Sequence, residues 1–499
     1  MRTSPIGRIL LGAIVVACAS TSPSAQLLPA GQEFQINTYT TNTQGEPAVA
    51  VDPWGNFVVV WESFGQDGSG FGVFGRRYEK SGTPLGGEFQ VNTFTTGNQY
   101  SPILATDPSG GFVVLWESFG QDGSGFGVFG RRFDKTGTPL GAEFQVNSYT
   151  TINQVSPSLT MDAWGNFVVV WGSDGQDGSE YGVFGQRFDR TGNPRGSEFQ
   201  VSIYTALDQF PRKTAVSSHP SGDFVVVWQS TSQGGSGSGI FGRRYDDTGA
   251  SQGGEVQINT YSGTRQRHAA VAVHASGNFM VIWESFLQDT SSWGVFGQRF
   301  NSSGDRQGGE FQVNTETYSG QVTGTLGVDA EGRFVVVWYS FLQDGSDQGI
   351  FGQRYYSNGA PAGAEFQINT FTTGEQNLPW VGVDSTGDFV VAWYSFAQDG
   401  SDLGIFGQRY SCSPAIGPVT DLDIETSDGG NHLAFTWSDA TGAADYVVLE
   451  DLMPYGAFGT VCGTATSGAT GLTLSSSSSD LRYYRVAGRN PTCGLGPLR

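Results

Sequence analysis

The residues with the clearest potential to bind a ligand are a glutamine and an aspartate that occur side by side in a repeated polar loop. An amide both donates and accepts hydrogen bonds, which suits sugar hydroxyl groups, and carboxylate oxygens are the ligands that calcium prefers. We expect these pairs to form a ligand-binding face: Gln66 and Asp67, Gln121 and Asp122, Gln176 and Asp177, Gln288 and Asp289, Gln343 and Asp344, and Gln398 and Asp399. A seventh copy keeps Gln233 but has Gly234 after it.

Structural roles for the same loops are the favoured interpretation. Because the glutamine occurs in all seven copies, bracing of the loop explains it as well as ligand binding does. Calcium takes about six to eight oxygen ligands, and only the last two loops add a second acid, giving Asp344 with Asp347 and Asp399 with Asp402. Turn-stabilising aspartates are therefore favoured, with calcium as the alternative cofactor.

No catalytic residue is predicted, because the usual signatures are missing or unconvincing. His219 and His274 stand where other copies have a turn aspartate. Residues 249–253 fit the pattern Gly-x-Ser-x-Gly, but they lie in a predicted hairpin, whereas a nucleophile elbow joins a strand to a helix. Paired carboxylates for glycoside hydrolysis stay open, because the chain has many acids and their separations are unknown.

The elements that must position these loops recur at a fixed period. Tryptophan is spaced by 55 or 57 residues at Trp61, Trp116, Trp171, Trp228, Trp283, Trp338 and Trp393. Such a period indicates one supersecondary unit copied in tandem. The first copy contains four extended segments, residues 48–52, 57–61, 73–78 and 88–93, separated by turn residues. Four short antiparallel strands, repeated seven times, predict a β-propeller.

The two ends of the array predict a closed ring. Residues 33–40 form a copy of the fourth strand that precedes every other strand, and the last copy stops after residues 405–410 without its own fourth strand. Closure by the N-terminal strand would remove unpaired strand edges. The predicted fold class is all-β, with a seven-bladed β-propeller over residues 33–412.

Propeller connectivity divides the loops between two faces. The turns after the first and third strands are tight, whereas the loops after the second and fourth strands are longer and more polar. Binding residues concentrate on such loops, so we expect a ligand on the second face. We also predict a structural ion pair between the arginine of each third strand, such as Arg77, and the glutamate that opens the next strand.

Two parts of the chain resemble known families. The series Phe-Val-Val-Val-Trp, Gln-Asp-Gly-Ser, Val-Phe-Gly-Gln-Arg-Phe and Glu-Phe-Gln-Val, as in residues 167–202, resembles repeats of secreted and surface proteins of bacteria. That resemblance implies a propeller in an extracellular, often adhesive, context and carries no catalytic residues. After a linker at residues 413–418, Trp437 with residues 446–449 and 483–487 resembles a fibronectin type III domain, a β-sandwich over residues 419–499.

The N-terminus and the charge limit location and partners. Residues 1–25 combine Arg2 and Arg8 with a short apolar run, which predicts a secretory signal peptide. Cys18 in a sequence similar to a lipoprotein box offers lipid anchoring as the alternative to free secretion or a periplasmic location. No later segment is apolar enough to span a bilayer. Removing residues 1–25 takes the net charge from −21 to −23, which disfavours nucleic acid.

The remaining predictions concern cysteines and function. Few cysteines suggest at most one disulfide, with Cys462 and Cys493 as the pairing within the C-terminal domain and Cys412 as a link between domains. The leading hypothesis is a monomeric, secreted, non-enzymatic protein that binds a glycan or protein ligand. The alternatives are an extracellular polysaccharide hydrolase or lyase, and a purely structural envelope component. The enzyme alternative predicts a cluster of unpaired acids in the central cleft that breaks the repeat symmetry.

Overall fold

The computed structural model describes residues 29–205, 209, 214–231, 233 and 237–411, except the side chain of Thr323, and the backbone of six later strands. The predicted signal peptide and linker, and Cys18, Cys412, Cys462 and Cys493, lie outside the described residues. Within the described part, no helix has the length and apolarity needed to cross a membrane. One compact unit comprises Pro29–Tyr410.

This unit is a seven-bladed β-propeller in which every blade repeats four strand positions. The first strands of blades 1 to 7 are β2 (Gln44–Val51), β6 (Gln99–Thr106), β10 (Gln154–Met161), β14 (Ala215–Ser218), β18 (Gln266–Val273), β22 (Gln321–Val328) and β26 (Gln376–Val383). The second strands are β3 (Phe57–Phe64), β7 (Phe112–Phe119), β11 (Phe167–Asp174), β15 (Phe224–Thr231), β19 (Phe279–Phe286), β23 (Phe334–Phe341) and β27 (Phe389–Phe396). The third strands are β4 (Phe71–Tyr78), β8 (Phe126–Phe133), β12 (Tyr181–Phe188), β16 (Ser238–Tyr245), β20 (Trp293–Phe300), β24 (Gln348–Tyr355) and β28 (Leu403–Tyr410). The fourth strands are β5 (Phe89–Gln90), β9 (Phe144–Gln145), β13 (Phe199–Gln200), β17 (Val256–Gln257), β21 (Phe311–Gln312), β25 (Phe366–Gln367) and, for blade 7, β1 (Phe34–Gln35).

The N-terminal strand closes the ring, as predicted. The sheet of blade 7 has the order β1-β28-β27-β26, and Phe34 lies opposite Gly407. The pairing is shorter than the predicted residues 33–40, because the side chain of Asn37 replaces the backbone: its Oδ1 accepts a hydrogen bond from the N–H of Ile405 at 2.8 Å. First strands of neighbouring blades contact one another around the whole ring, so they are the innermost strands.

The core lies between neighbouring blades. The seven periodic tryptophans are fully buried, and each hydrophobic cluster combines residues of two adjacent blades. Second strands such as β3 are apolar on both faces because both faces are covered. Phe57 stacks on Tyr78 of the next strand with ring centroids 4.8 Å apart, and Phe34 of blade 7 packs on both rings. Aromatic side chains therefore join neighbouring blades.

The predicted arginine–glutamate ion pair is wrong for Arg77 and for five equivalent arginines. The guanidinium of Arg77 donates to the carbonyl oxygens of Leu85 and, in the next blade, of Lys135. Among the residues that the structure describes, five further arginines donate in the same way to a carbonyl of the following blade, Arg132, Arg187, Arg244, Arg299 and Arg409. The guanidinium is drawn to backbone oxygens because the glutamate carboxylate is bound elsewhere.

The C-terminal part contains two three-stranded sheets. Their strands are β29 (Asp423–Ser427), β30 (His432–Thr436), β31 (Asp445–Asp451), β32 (Gly471–Ser475), β33 (Tyr483–Asn490) and β34 (Gly494–Leu495). One sheet has the order β29-β30-β32 and the other β31-β33-β34, and every pair is antiparallel. Two of the segments that resemble a fibronectin type III domain lie in these strands, residues 446–449 in β31 and residues 483–487 in β33.

Candidate functional site

The glutamines of the predicted binding loops each bind a glutamate of their own blade, and that glutamate contacts the preceding blade. Gln66 Nε2 donates to Glu88 Oε2 at 2.8 Å, and the other carboxylate oxygen of Glu88 accepts hydrogen bonds from the backbone and hydroxyl of Thr38 in the preceding blade. We call each such Gln–Glu pair a blade latch. The remaining six latches are Gln121–Glu143, Gln176–Glu198, Gln233–Glu255, Gln288–Glu310, Gln343–Glu365 and Gln398–Glu33.

The aspartates beside these glutamines shape their own loops. Asp67 Oδ1 accepts a hydrogen bond from the backbone of Ser69 at 3.0 Å. The same contact two residues on is made by Asp122, Asp177, Asp289, Asp344 and Asp399. Asp347 and Asp402 are exposed at the ends of the last two loops. Among the described residues, no three His, Cys, Asp or Glu side chains converge as metal ligands, so calcium stays a proposal for experiment.

One position of the repeat differs from blade to blade, directly after the periodic tryptophan. In blades 1 to 7 it is Glu62, Glu117, Gly172, Gln229, Glu284, Tyr339 and Tyr394. A β-bulge in the innermost strand lies opposite the tryptophan and brings these side chains together. In blade 1, Glu46 and Pro47 oppose the single residue Trp61, which bends the strand and re-aims its side chains.

The bulges carry strained backbone at the same end of the ring. Left-handed φ angles occur at Glu46 (48°), Ser101 (49°), Ser156 (53°), His268 (52°) and Leu378 (49°). Such conformations are rare for residues other than glycine and cluster at functional sites. We call the surrounding side chains the variable mouth: Glu46, Glu62, Glu117, Arg267, His268, Glu284, Tyr339, Glu375, Asn377 and Tyr394.

The acidic half of the variable mouth belongs to blades 1 and 2. Glu62 and Glu117 are each 8% exposed, and each accepts a hydrogen bond from a bulge of the following blade, from the N–H of Ser101 at 3.0 Å and of Ser156 at 2.7 Å. Burial, with the nearby charges of Glu46 and Glu117, raises the pKa of Glu62 to about 8. Burial raises the pKa of Glu117 to about 7. Both carboxyl groups therefore titrate near neutral pH.

The opposite half of the variable mouth belongs to blade 5. Glu284 is fully buried and bridges two neighbours, accepting from Arg267 Nε at 2.7 Å and contacting His268 Nδ1 at 2.8 Å. Burial alone would raise the pKa of Glu284, but the hydrogen bond and charge of His268 and the charge of Arg267 lower it. The Arg267 guanidinium lies 3.8 Å from the ring centroid of Trp293.

Two tyrosines connect the halves. Tyr339 hydrogen-bonds to Asn377, and burial with the charge of Glu284 raises its pKa to about 12. Tyr394 donates its hydroxyl to Glu375 Oε1 at 2.7 Å and lies close enough to Glu46 to feel its charge. An unbroken series of interacting side chains thus runs from blade 5 through blades 6 and 7 to blades 1 and 2.

An arc of aromatic rings borders the acidic half. Phe64 contacts Phe71, Phe71 contacts Tyr100, Tyr100 contacts Phe126, and Phe126 contacts Phe119, with centroid separations of 5.1 to 6.0 Å. Phe64 and Phe119 at its ends are 43% and 51% exposed. Rings presented in this way offer flat apolar surfaces beside polar groups, which is typical of small-molecule sites.

The opposite end of the ring has polar side chains that already form hydrogen bonds within the protein. We call it the turn mouth, a cavity of about 310 Å³ lined by the ends of the innermost strands. Asp52 there accepts from the backbones of Trp54 and Asn56, and His274 contacts Ser276 and the carbonyl of Ala330. His219 makes the equivalent contacts, which agrees with its prediction as a turn residue. Between the two mouths, Trp380 packs against the clusters of blades 7, 1, 2 and 3.

Sequence reasoning missed the residues of the variable mouth. It weighed positions that all blades share, and those positions form latches and turns. The signal that could have identified them is variation between the copies. The residue after each tryptophan is an acid, an amide, glycine or tyrosine. In the fourth unit, residues 211–213 and the Gly-Gly-Ser segment at residues 234–236 lie outside the described residues.

Comparisons with known proteins identify no family. No family model matches the chain, and no curated protein matches it. Among solved structures, a protein of unknown function from Dyadobacter fermentans is 14% identical with a TM-score of 0.45, over 78% of this chain and 100% of its own. A polysaccharide lyase described as an ulvan lyase is 10% identical with a TM-score of 0.48, over 75% and 95%. An α-L-arabinofuranosidase from Fusarium graminearum is 10% identical with a TM-score of 0.40, over 76% and 98%. These similarities identify neither a reaction nor a ligand for this protein.

Proposed function

We propose that this protein is an extracellular enzyme that cleaves a polysaccharide, with the variable mouth as its active site. The observation that carries the proposal is the pair Glu62 and Glu117, two buried carboxyl groups that titrate near neutral pH. Titratable groups with such shifts, gathered in a concave site, are the usual mark of acid–base chemistry. The enzyme alternative predicted unpaired acids in the central cleft that break the repeat symmetry. Glu62 and Glu117 stand at a position that is not acidic in four of the blades, and each accepts one backbone hydrogen bond.

The two carboxyl groups suit complementary roles. Both pKa values are raised to near neutral, about 8 for Glu62 and about 7 for Glu117, so the pair can hold one proton between them at pH 7. The protonated carboxyl group can donate a proton to the glycosidic oxygen that leaves, and the ionised carboxyl group can act as base. The bulge N–H groups of Ser101 and Ser156 hold both side chains in place.

Non-enzymatic glycan binding is the second candidate, and the aromatic arc favours it. Phe64, Tyr100 and Phe119 offer ring faces beside the mouth without any need for proton transfer. An adhesion protein that uses these rings would bind oligosaccharides and leave them intact. The latches and turn aspartates of the predicted loop face provide less binding capacity, because their polar groups already bond within the protein.

The experiment is a turnover assay on a panel of polysaccharides, with and without calcium, using the full chain. New reducing ends or unsaturated ends identify cleavage, and Glu62→Gln and Glu117→Gln should abolish most of it. Glu180→Gln is the matched control, because Glu180 is an exposed loop acid on the same face. Binding without turnover on any polymer would reject the enzyme and favour adhesion. Absence of both would favour the structural envelope role.

The rest of the chain is proposed to serve secretion and presentation. We propose that residues 1–25 are removed on export, with lipid attachment at Cys18 as the alternative. For residues 419–499 we propose a fibronectin type III-like sandwich, which the order of the two three-stranded sheets supports. A disulfide between Cys462 and Cys493 and a monomeric state complete the proposal. Mass spectrometry of the mature protein under non-reducing conditions tests the N-terminus and the disulfide.

A further inference from the structure

Arg267 is held in one orientation with part of its guanidinium unused. Its Nε donates to Glu284 Oε2 at 2.7 Å, and its planar group lies over the Trp293 ring. The side chain is 34% exposed. In the part of the chain that the structure describes, neither terminal amino group of Arg267 makes a hydrogen bond. A guanidinium fixed in this way presents two parallel N–H donors to a planar anion.

His268 extends the same surface. Its Nδ1 contacts the buried carboxylate of Glu284 at 2.8 Å, which leaves Nε2 as the ring nitrogen directed away from that contact. The side chain is 25% exposed, and its backbone has a left-handed φ of 52°. Glu284 therefore fixes the side chains of both Arg267 and His268. The strained backbone of the bulge places a ring nitrogen of His268 at the mouth.

Only blade 5 carries a cation at this register among the described blades. The residues equivalent to Arg267 in blades 1, 2, 3, 6 and 7 are Gly45, Tyr100, Val155, Val322 and Asn377. A structural arginine would recur, as the arginines equivalent to Arg77 do. An arginine that occurs at this position in one blade therefore indicates a function on that side of the mouth.

The surrounding charge allows an anion to reach this cation. The whole protein carries a net charge of −21, which repels anions at long range, but salt screens this repulsion beyond about 8 Å. Across the mouth, the raised pKa values of Glu62 and Glu117 lower the negative charge that these two acids carry at neutral pH. Glu284 offsets the charge of Arg267 through its 2.7 Å contact with Nε, so an anion would be bound by the remaining N–H donors rather than by a large positive field.

We infer that Arg267 and His268 form an anion subsite of the variable mouth, which selects polysaccharides whose sugar units carry a carboxylate or a sulfate group. The inference rests on the proposed function for the position of the sugar chain, and it adds the substrate class. Arg267 binds the two oxygens of the anion, and His268 contributes a further hydrogen bond. The acids of blades 1 and 2 then face the neighbouring glycosidic bond.

The test measures binding by calorimetry with the full chain and four probes: polygalacturonate, its carboxyl-reduced form, dextran sulfate and dextran. We expect the wild-type protein to bind at least one anionic polymer and to bind its neutral counterpart at least 10-fold more weakly. Arg267→Gln should weaken the anionic complex at least 10-fold, and Arg267→Lys should weaken it less, because it keeps the charge and loses the paired donors. Preference for polygalacturonate or for dextran sulfate identifies the anion.

Controls separate this inference from the proposed function. Arg306→Gln removes one positive charge from an exposed turn of the same blade, and it should leave every affinity unchanged. Glu62→Gln should keep the affinity and lose turnover. Equal binding of anionic and neutral polymers, an Arg267→Gln protein that binds as the wild type does, or no binding of either anionic polymer would overturn the anion subsite. Anion-dependent binding without cleavage would leave the subsite standing and reject the enzyme.

Discussion

The repeated shell of this propeller and its variable mouth obey different rules. In the shell every blade has the same buried tryptophan and the same Gln–Glu latch. In the mouth the residue after that tryptophan is acid, amide, glycine or tyrosine, so a buried acid occupies this position in only three of the seven blades. Positions that every blade needs serve folding, so the positions that differ are where function is to be sought. Mutations in the two regions should therefore have opposite effects on stability and activity.

Loss of the closing strand should have the largest effect on the shell. Deleting residues 33–40 removes the outer strand of blade 7, the fully buried Ile36 and the latch formed by Glu33 and Gln398. Burying an isoleucine stabilises by about 2–5 kcal/mol, and each lost hydrogen bond adds about 1 kcal/mol. We expect a loss of more than about 5 kcal/mol, measured by urea unfolding.

Ile36→Ala is the graded control for this deletion. It keeps the backbone pairing of β1 and removes only the side chain, so it should cost about 2–5 kcal/mol. The deletion should be clearly worse than this substitution. A deletion protein that unfolds with the wild type would show that the ring does not depend on its closing strand.

Substitution of the mouth acids should have the opposite effect, a loss of turnover without a loss of stability. The double change Glu62→Gln and Glu117→Gln removes the proposed proton donor and base, and such groups typically contribute about 10²–10⁴-fold to rate. Turnover should fall by at least about 100-fold, while the melting temperature at pH 7 stays the same or rises. An active double variant would remove the distinction between the two regions.

The pH dependence of stability gives an independent test of the same acids. The folded-state pKa of Glu62 is raised from 4.5 to about 8, so the native state binds the proton more tightly than the unfolded chain does. The stability linked to this proton is fully present below about pH 4.5 and is lost as pH rises through about 8. Glu117 behaves in the same way up to about pH 7.

We therefore expect wild-type stability to fall by several kcal/mol between pH 5 and pH 9, and the double glutamine variant to lose less over the same range. Thermal unfolding across this range measures the difference. Because glutamine does not ionise, the variant should be the more stable protein at pH 9. Parallel pH profiles of the two proteins would show that these carboxyl groups are not perturbed by the fold.

The shell could be predicted from the sequence because the residues that each blade needs for folding recur seven times. The spacing of Trp61 and its counterparts predicted the blade number, and the spare segment at residues 33–40 predicted closure. The mouth could not be derived in this way. Whether Glu62 is buried depends on a bulge at Glu46 and on a backbone N–H of the next blade, and neither leaves a local pattern. The arginine prediction failed for a related reason, because the glutamates are already bound in the latches.

The smallest expected effect belongs to the latch of a single blade. Gln66→Ala removes one amide hydrogen bond to the Glu88 carboxylate and should cost about 1 kcal/mol, since the site is partly solvated. Gln121→Ala should cost the same, and the two should add because the latches are in separate blades. Polysaccharide binding and turnover should be unchanged in both. The competing interpretation, in which the glutamines bind the ligand, predicts the reverse: weaker binding with unchanged unfolding in urea. Measuring both quantities on the same two variants decides whether these loops hold the ring together or hold its substrate.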